Sequence, residues 1–189
     1  MYNIVIVGVG GQGTLLASKI LGQLALENGY DVRVSEVHGM SQRGGSVVTY
    51  VRMSNSEKLY SAIVEQEQAD VVLAFENLEA VRAMPYLKKG GKMIVNTQEI
   101  LPMPVITGAT TYPDDCLDRI KAQCDTIALD ATGIAHECGT YKAANVVLMG
   151  VLAKQLPFSY ENWIKVIESN VKPQFVEMNK KAFSRGYEF

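Results

Sequence analysis

Apolar and polar positions along the chain repeat in two periods. Asn3–Val7 is apolar and β-branched and stops at Gly8, as a buried strand does. Gln12–Asn28 changes to helical spacing, with Leu16, Ile20 and Leu24 on one face and Asn28-Gly29 as its stop. Val32 and Val34 alternate with polar residues in a second strand ending near Glu36, so the first 36 residues read as a β-α-β unit. Ser46–Met53 alternates and predicts a strand, antiparallel or at an edge, and Ser61–Val64 predicts a short one. Asp70–Phe75 and Lys92–Asn96 read as core strands, with a helix over Leu78–Leu87 closed by Lys89-Gly90-Gly91. Residues 98–113 hold Pro102, Pro104 and Pro113 and read as a connector. A helix over Asp115–Gln123 and a strand over Thr126–Leu129 follow, then helices over Lys142–Gln155, Tyr160–Asn170 and Pro173–Ser184. Strands alternating with helices predict an α/β fold. The expected form is a Rossmann-like three-layer α/β/α sandwich with a mostly parallel, mixed sheet. One domain over 1–189 is expected, its C-terminal part helical from about 141 to 189.

Composition narrows the function. The chain has 189 residues, enough for a core without disulfides or metals. Its formal net charge of -2 offers no basic excess to neutralise phosphates, which argues against nucleic acid as partner. The three cysteines, Cys116, Cys124 and Cys138, are spaced by 8 and 14 residues with no C-x-x-C, so neither a zinc nor an iron–sulfur site is expected. No apolar run approaches the ~20 residues of a membrane span. The start of the chain lacks a basic n-region, so a cytoplasmic protein with reduced thiols is expected.

Two stretches carry candidate chemistry. Residues 8–13, GVGGQG, fit G-x-G-x-x-G between a strand and a helix, with Gly8, Gly10 and Gly13 as the glycines and Gly11 and Gln12 between them. In a dinucleotide site such glycines make a tight turn and let a pyrophosphate approach the helix N-terminus. Glu36, 23 residues after Gly13, stands where an acid would bind the ribose. Against NAD or FAD, Gln12 places a bulky amide at the mouth of the turn, and Glu36 leads into a loop rather than a helix.

That loop, EVHGMSQRGGSV, is the second stretch. Gly39, Gly44 and Gly45 permit close backbone approach around His38, Met40, Ser41, Gln42 and Arg43. An arginine flanked by glycines suits bidentate capture of a carboxylate or phosphate. The competing reading is a solvated loop with one exposed arginine.

GVGGQG with its helix, EVHGMSQRGGSV, ADVVLAFE, KKGGKMIVN, NVVLMG and the tail MNKKAFSRGYEF together resemble the gamma-type subunits of 2-oxoacid:ferredoxin oxidoreductases, in particular the indolepyruvate branch. The resemblance runs in order through nearly the whole chain; Gly139-Thr140 stands where many members carry Gly-Asn. It implies an oxidative decarboxylation of an aryl-2-oxoacid with coenzyme A, giving acyl-CoA, CO2 and reduced ferredoxin. It also implies a complex that uses thiamine diphosphate, Mg2+ and iron–sulfur clusters. By resemblance these belong to a larger partner subunit, with none bound by this chain alone and ferredoxin reached through the complex. Pyruvate and 2-oxoisovalerate gamma subunits are the near alternatives. A free-standing NAD- or FAD-binding oxidoreductase and a purely structural or regulatory subunit are the distant ones.

The expected site joins the GVGGQG turn and the His38–Gly45 loop on one face at the carboxyl edge of the sheet. Arg43, Gln12, Gln42 and Ser41 there are expected to contact a partner loop or coenzyme A phosphates. Asn145 is expected to bond a loop across the edge, or to serve the core or a cap. No catalytic residue is assigned; His38 is the one candidate acid or base, and His136 is read as structural. Of the apolar tail residues, among them Phe158, Trp163, Phe175, Phe183 and Tyr187, most should pack on the sheet and some could dock on the partner.

Overall fold

The computed structural model describes residues 1–39 and 44–189. Six strands form one sheet: β1 (Tyr2–Val9), β2 (Asp31–His38), β3 (Ser46–Ser54), β4 (Ala69–Ala74), β5 (Leu87–Asn96) and β6 (Asp125–Leu129). Their order is β2-β3-β1-β4-β5-β6. Four strands, β1, β4, β5 and β6, run parallel; β3 is antiparallel to both of its neighbours. The sheet is therefore mixed, as the patterning predicts.

The β-α-β reading holds in direction but not in adjacency. β1 leads through α1 (Thr14–Glu27) to β2, which runs the same way, yet β3 lies between them and pairs with both. Residues 46–53 are antiparallel, one of the two expected alternatives, and lie inside the sheet rather than at its edge, since β1 and β2 pair with β3 on either side. The sheet edge belongs to β2, which also runs two residues past Glu36.

Alternate residues of β1 feed two cores. Ile4 and Ile6 face α1, α6 (Ala144–Ala153), α7 (Tyr160–Asn170) and α8 (Val176–Glu188), while Val5 and Val7 face α2 (Asn77–Ala83) and α4 (Cys116–Gln123). α6 is buried from Asn145 to Ala153, so it lies inside the larger helical layer rather than on its surface. The C-terminal helices pack around it. Trp163, Ile167 and Phe183 are fully buried, whereas Phe175 is exposed.

α6 and α8 cross at two glycines. A Cβ on Gly186 would stand 1.9 Å from the Val147 carbonyl oxygen, and one on Gly150 would stand 2.2 Å from that of Phe183. Backbone therefore meets backbone, which explains the glycines inside NVVLMG and AFSRGYE.

Other differences are local. The helix expected over Leu78–Leu87 stops at Ala83, and Met84–Tyr86 tightens to a 3-10 turn at Pro85, which has no amide to continue the ladder. Lys89-Gly90-Gly91 does not close a helix but sits within β5, where Gly90 takes φ 79°. Ser61–Val64 is irregular; Val64 is buried without a strand pairing. The connector 98–113 contains one short helical turn, α3 (Met103–Ile106), and α5 (Ala131–Glu137) extends the helix-like reading of AHECG.

Candidate functional site

The chain reverses between β1 and α1 in the GVGGQG turn. The Gly10 amide donates to the Gly45 carbonyl at 2.9 Å, and the Gly44 amide donates back to the Gly10 carbonyl at 3.4 Å. The turn and the end of the 39–45 loop are thus joined directly, at the carboxyl edge as expected. Gly11 and Gly13 adopt φ of 105° and 87°, a region that favours glycine. Gly13 caps α1 without a side-chain acceptor, and no acid lies in the first turn. The α1 N-terminus keeps uncapped amides, which favour an anion.

Gln12 does not point outward. Its Oε1 accepts the Val9 amide at 2.7 Å, and its Nε2 donates to the Phe75 carbonyl at 2.8 Å and to Gln98 Oε1 at 3.0 Å. The side chain ties the end of β1 to the end of β4. Gly8 lies beneath it, where a Cβ would stand 2.8 Å from Gln12 Oε1. The expectation that Gln12 meets a partner or phosphate is therefore revised. Its polar atoms are committed inside the chain because two parallel strands end there with unpaired backbone groups.

A crevice of about 440 Å3 opens beside this clasp. β1 turns into a helix on one face of the sheet and β4 into a helix on the other, so the crevice lies at a topological switch point. Asn96 at the end of β5 builds its floor. Asn96 Nδ2 donates to Phe75 O at 3.2 Å and to Thr132 Oγ1 at 3.1 Å, and Asn96 Oδ1 accepts the Ala131 amide at 3.0 Å. Asn145, buried on α6, reaches the Gly13 carbonyl at 3.4 Å. A Cβ on Gly13 would stand 2.6 Å from its Nδ2, so this pair sets how closely α6 approaches the turn. Lys142 supplies a cation at the crevice wall and forms no ion pair among the described residues.

Glu36 and His38 line a second groove, of about 500 Å3, with Gly10, Gly11 and Thr14. β3 holds Glu36 two strand spacings, about 9–10 Å, from β1. Thr49 Oγ1 donates to its Oε2 at 3.2 Å. His38 is exposed and its Nδ1 donates to the Gly39 carbonyl at 2.9 Å. Met40, Ser41, Gln42 and Arg43 lie outside the described residues. Gly39 and Gly44 are exposed at the ends of that stretch. His136 is exposed on α5, far from the turn in sequence and absent from both cavities.

Sequence reasoning missed a buried acidic cluster behind the clasp. Glu76, 1% exposed, caps α2 by accepting the Glu79 amide at 2.9 Å. It also accepts the Ile100 amide at 3.1 Å and the Tyr112 hydroxyl at 2.5 Å. Burial, then the hydrogen bond to Glu76, pushes the Tyr112 phenol well above its ordinary range. Glu79 accepts from Ser46 Oγ at 2.5 Å and from Arg82 at 2.6 Å, which joins the start of β3 to α2. The signal was available in E-N-L-E, a carboxylate three residues before a second one at a helix start.

Cys116 and Cys138 are buried and Cys124 is half-buried; Cys116 starts α4, Cys124 follows its end and Cys138 follows the end of α5. Among the described residues no three His, Cys, Asp or Glu side chains converge on one point. The described residues fit neither an iron–sulfur cluster nor the metal of a diphosphate cofactor. The dinucleotide arrangement is altered too, because β3 stands between β1 and β2 and holds Glu36 two strand spacings from β1.

The family model for pyruvate ferredoxin/flavodoxin oxidoreductase matches residues 3–189. The chain is 47% identical to the indolepyruvate oxidoreductase subunit IorB of Pyrococcus horikoshii, over 98% of this chain and 94% of that one. It is 28% identical to the pyruvate/ketoisovalerate oxidoreductases common subunit gamma of Thermococcus kodakarensis, over 95% of this chain and 92% of that one. The crystal structure of the keto/oxoacid ferredoxin oxidoreductase gamma subunit of Geobacter sulfurreducens superposes with a TM-score of 0.74 at 27% identity. The match covers 100% of this chain and 97% of that one.

Proposed function

Because the chain belongs to the pyruvate ferredoxin/flavodoxin oxidoreductase family, we propose that residues 1–189 act as one gamma-type domain. That domain is the smaller subunit of a 2-oxoacid:ferredoxin oxidoreductase whose substrate is an aryl-2-oxoacid of the indolepyruvate type. The observation that carries this reading is the 47% identity, across 98% of the chain, to a subunit named for indolepyruvate. In the reaction the 2-oxoacid and coenzyme A give acyl-CoA and CO2, and two electrons pass to two ferredoxins. Thiamine diphosphate with Mg2+ and iron–sulfur clusters, on the larger subunit, supply carbon–carbon cleavage and electron transfer.

The part of this chain is to bind and orient. The Gly10–Gly13 backbone, the uncapped N-terminus of α1 and Lys142 present donors and positive charge to one crevice. Coenzyme A phosphates, or an acidic loop of the larger subunit, match that chemistry. The Gln12–Asn96 network keeps the turn rigid, so these donors are held in place before anything binds. Asn145 keeps Gly13 in register with α6. Among the described residues no helix is long and apolar enough to cross a membrane.

Reconstitution with the larger subunit tests the reading. Indolepyruvate-dependent, coenzyme A-dependent ferredoxin reduction is expected, exceeding that with pyruvate or 2-oxoisovalerate. Full activity of the larger subunit alone would reduce this chain to a structural role, and a preference for pyruvate would reassign the substrate. Lys142→Ala is expected to raise the KM for coenzyme A or to weaken subunit affinity.

A further inference from the structure

Three side-chain amides that line the crevice, those of Gln12, Asn96 and Gln98, are linked with a single polarity. The Val9 amide donates to Gln12 Oε1 at 2.7 Å, and the Ala131 amide donates to Asn96 Oδ1 at 3.0 Å. A backbone N–H can only donate, so each of these bonds fixes which end of its partner is oxygen. Gln12 and Asn96 must then present nitrogen on their other side. Both nitrogens turn to Gln98, whose Oε1 accepts Gln12 Nε2 at 3.0 Å and Asn96 Nδ2 at 3.4 Å. Thr132 Oγ1 donates to the same oxygen at 3.4 Å.

Three donors converging on one oxygen leave the Gln98 amide a single orientation. Turned over, it would set its nitrogen against the Gln12 and Asn96 nitrogens, donor against donor. The network therefore ends at Gln98 Nε2. That atom has no acceptor among the described residues and is not enclosed, so it opens to the crevice. Hydrogen bonds running in one sense polarise one another, which makes this terminal N–H2 a stronger donor than an isolated amide. Its surroundings have the same sign. Lys142 lines the crevice and, among the described residues, no carboxylate does. The Gly10–Gly13 turn and the uncapped start of α1 add backbone donors. A ligand group that is itself a donor would face N–H against N–H at Gln98; an anionic oxygen would not.

We propose that Gln98 is the orienting residue of the crevice and donates from Nε2 to a phosphate oxygen of the bound ligand. The inference rests on the reading above, in which that phosphate belongs to coenzyme A. It adds that the ligand is read by a donor whose direction is set two residues away, by the Val9 and Ala131 backbone amides.

Gln98→Glu tests the assignment, because a carboxylate keeps the accepting oxygen and exchanges only the donor for a second oxygen. In the reconstituted complex its KM for coenzyme A is expected to rise at least about tenfold, with a smaller change in kcat. The variant should melt no lower than the wild type, since all three donors keep their acceptor. Gln98→Leu removes both ends of the amide and should lower the melting temperature as well as raise the KM. In 15N spectra of the wild-type chain titrated with coenzyme A, the Gln98 side-chain N–H2 signal should move saturably, a readout that needs no variant. An unchanged KM in Gln98→Glu, or a Gln98 signal that coenzyme A leaves in place, would overturn the assignment alone. Weaker subunit affinity at unchanged KM would give the donor to a carboxylate of the larger subunit and overturn it too. A wild-type complex whose ferredoxin reduction does not depend on coenzyme A would overturn the functional reading beneath it.

Discussion

Replacing Gly186 with alanine should destabilise the protein, although alanine is the better helix former. The added Cβ would lie 1.9 Å from the Val147 carbonyl oxygen and 3.2 Å from the Gly150 Cα. A carbon–oxygen contact closes to about 3.3 Å, so α8 must move out by roughly 1.4 Å along that line. A gap of about 0.5–1 Å already forfeits a quarter to a half of the dispersion energy of a contact, and this displacement is larger. Phe183, Val147 and Val151 beside the crossing are all buried, so they have no solvent side on which to relax. Overpacking costs about 1–3 kcal/mol or more, and the helical preference for alanine returns about 1 kcal/mol. Because the obstacle is backbone, the upper end applies, and the net cost is about 2 kcal/mol. At this chain length that lowers the melting temperature by roughly 4–8 °C. The assay is thermal unfolding followed by circular dichroism, with Gly22→Ala alongside. Gly22 is also helical, but its Cβ would meet Val34 Cγ2 and Val32 Cγ1 at an ordinary 3.7 and 4.0 Å. That variant should gain up to about 1 kcal/mol. Gly186→Ala melting at or above the wild type would refute the close-crossing argument, and so would equal shifts for both variants. The double variant Gly150→Ala/Gly186→Ala should lose less than the two singles together, since one separation accommodates both methyl groups.

Gln12→Ala strips the acceptor from the Val9 amide, whereas Phe75 O keeps its bond from Asn96. The expected cost is about 1 kcal/mol, with faster hydrogen exchange at Val9 than at its β1 neighbours; unchanged exchange there would discount the clasp. Tyr50 and Tyr112 predict alkaline sensitivity. Burial first, then the bond to Tyr86, pushes the Tyr50 phenol up to about 12, and Tyr112 is raised too, by burial and then Glu76. The folded chain then holds protons that the unfolded chain, titrating near the ordinary value of about 10, has lost. Their contribution is full below pH ~10 and fades as pH rises toward ~12, so Tyr50→Phe should flatten the fall of denaturation midpoint over that window. A slope identical to that of the wild type would count against it. Titration of the isolated chain with NAD(H), NADP(H) and FAD should show no micromolar binding, because β3 separates Glu36 from the turn by two strand spacings. Saturable micromolar binding by calorimetry would favour a dinucleotide enzyme instead.

The strand runs and the helical spacing in α1, α4 and α7 were readable because burial imposes a period on the chain. The turn glycines were readable for a related reason: only glycine takes the φ found at Gly11 and Gly13 without strain. Neighbour relations across the sheet were not. Nothing local in Ser46–Ser54 says that it enters between β1 and β2, since pairing is decided by which strands can cover its two sides.

The same division runs through the site. The sequence by itself placed a glycine turn and a polar loop at one edge of an α/β sheet and left Asn145 between that edge and a core or cap role; in the structure residues 10, 13, 44, 45 and 145 meet there. Tertiary structure alone decided which way Gln12 points. Its amide has two possible uses, toward a ligand or toward the chain, and the Val9 amide and the Phe75 carbonyl, which Asn96 also serves, claim it. Tertiary structure likewise paired Gly150 with Gly186 and brought Tyr112 to Glu76 across 36 residues. Such contacts depend on distances between segments far apart in the chain. A periodic pattern carries the direction a side chain faces, but not what stands opposite it.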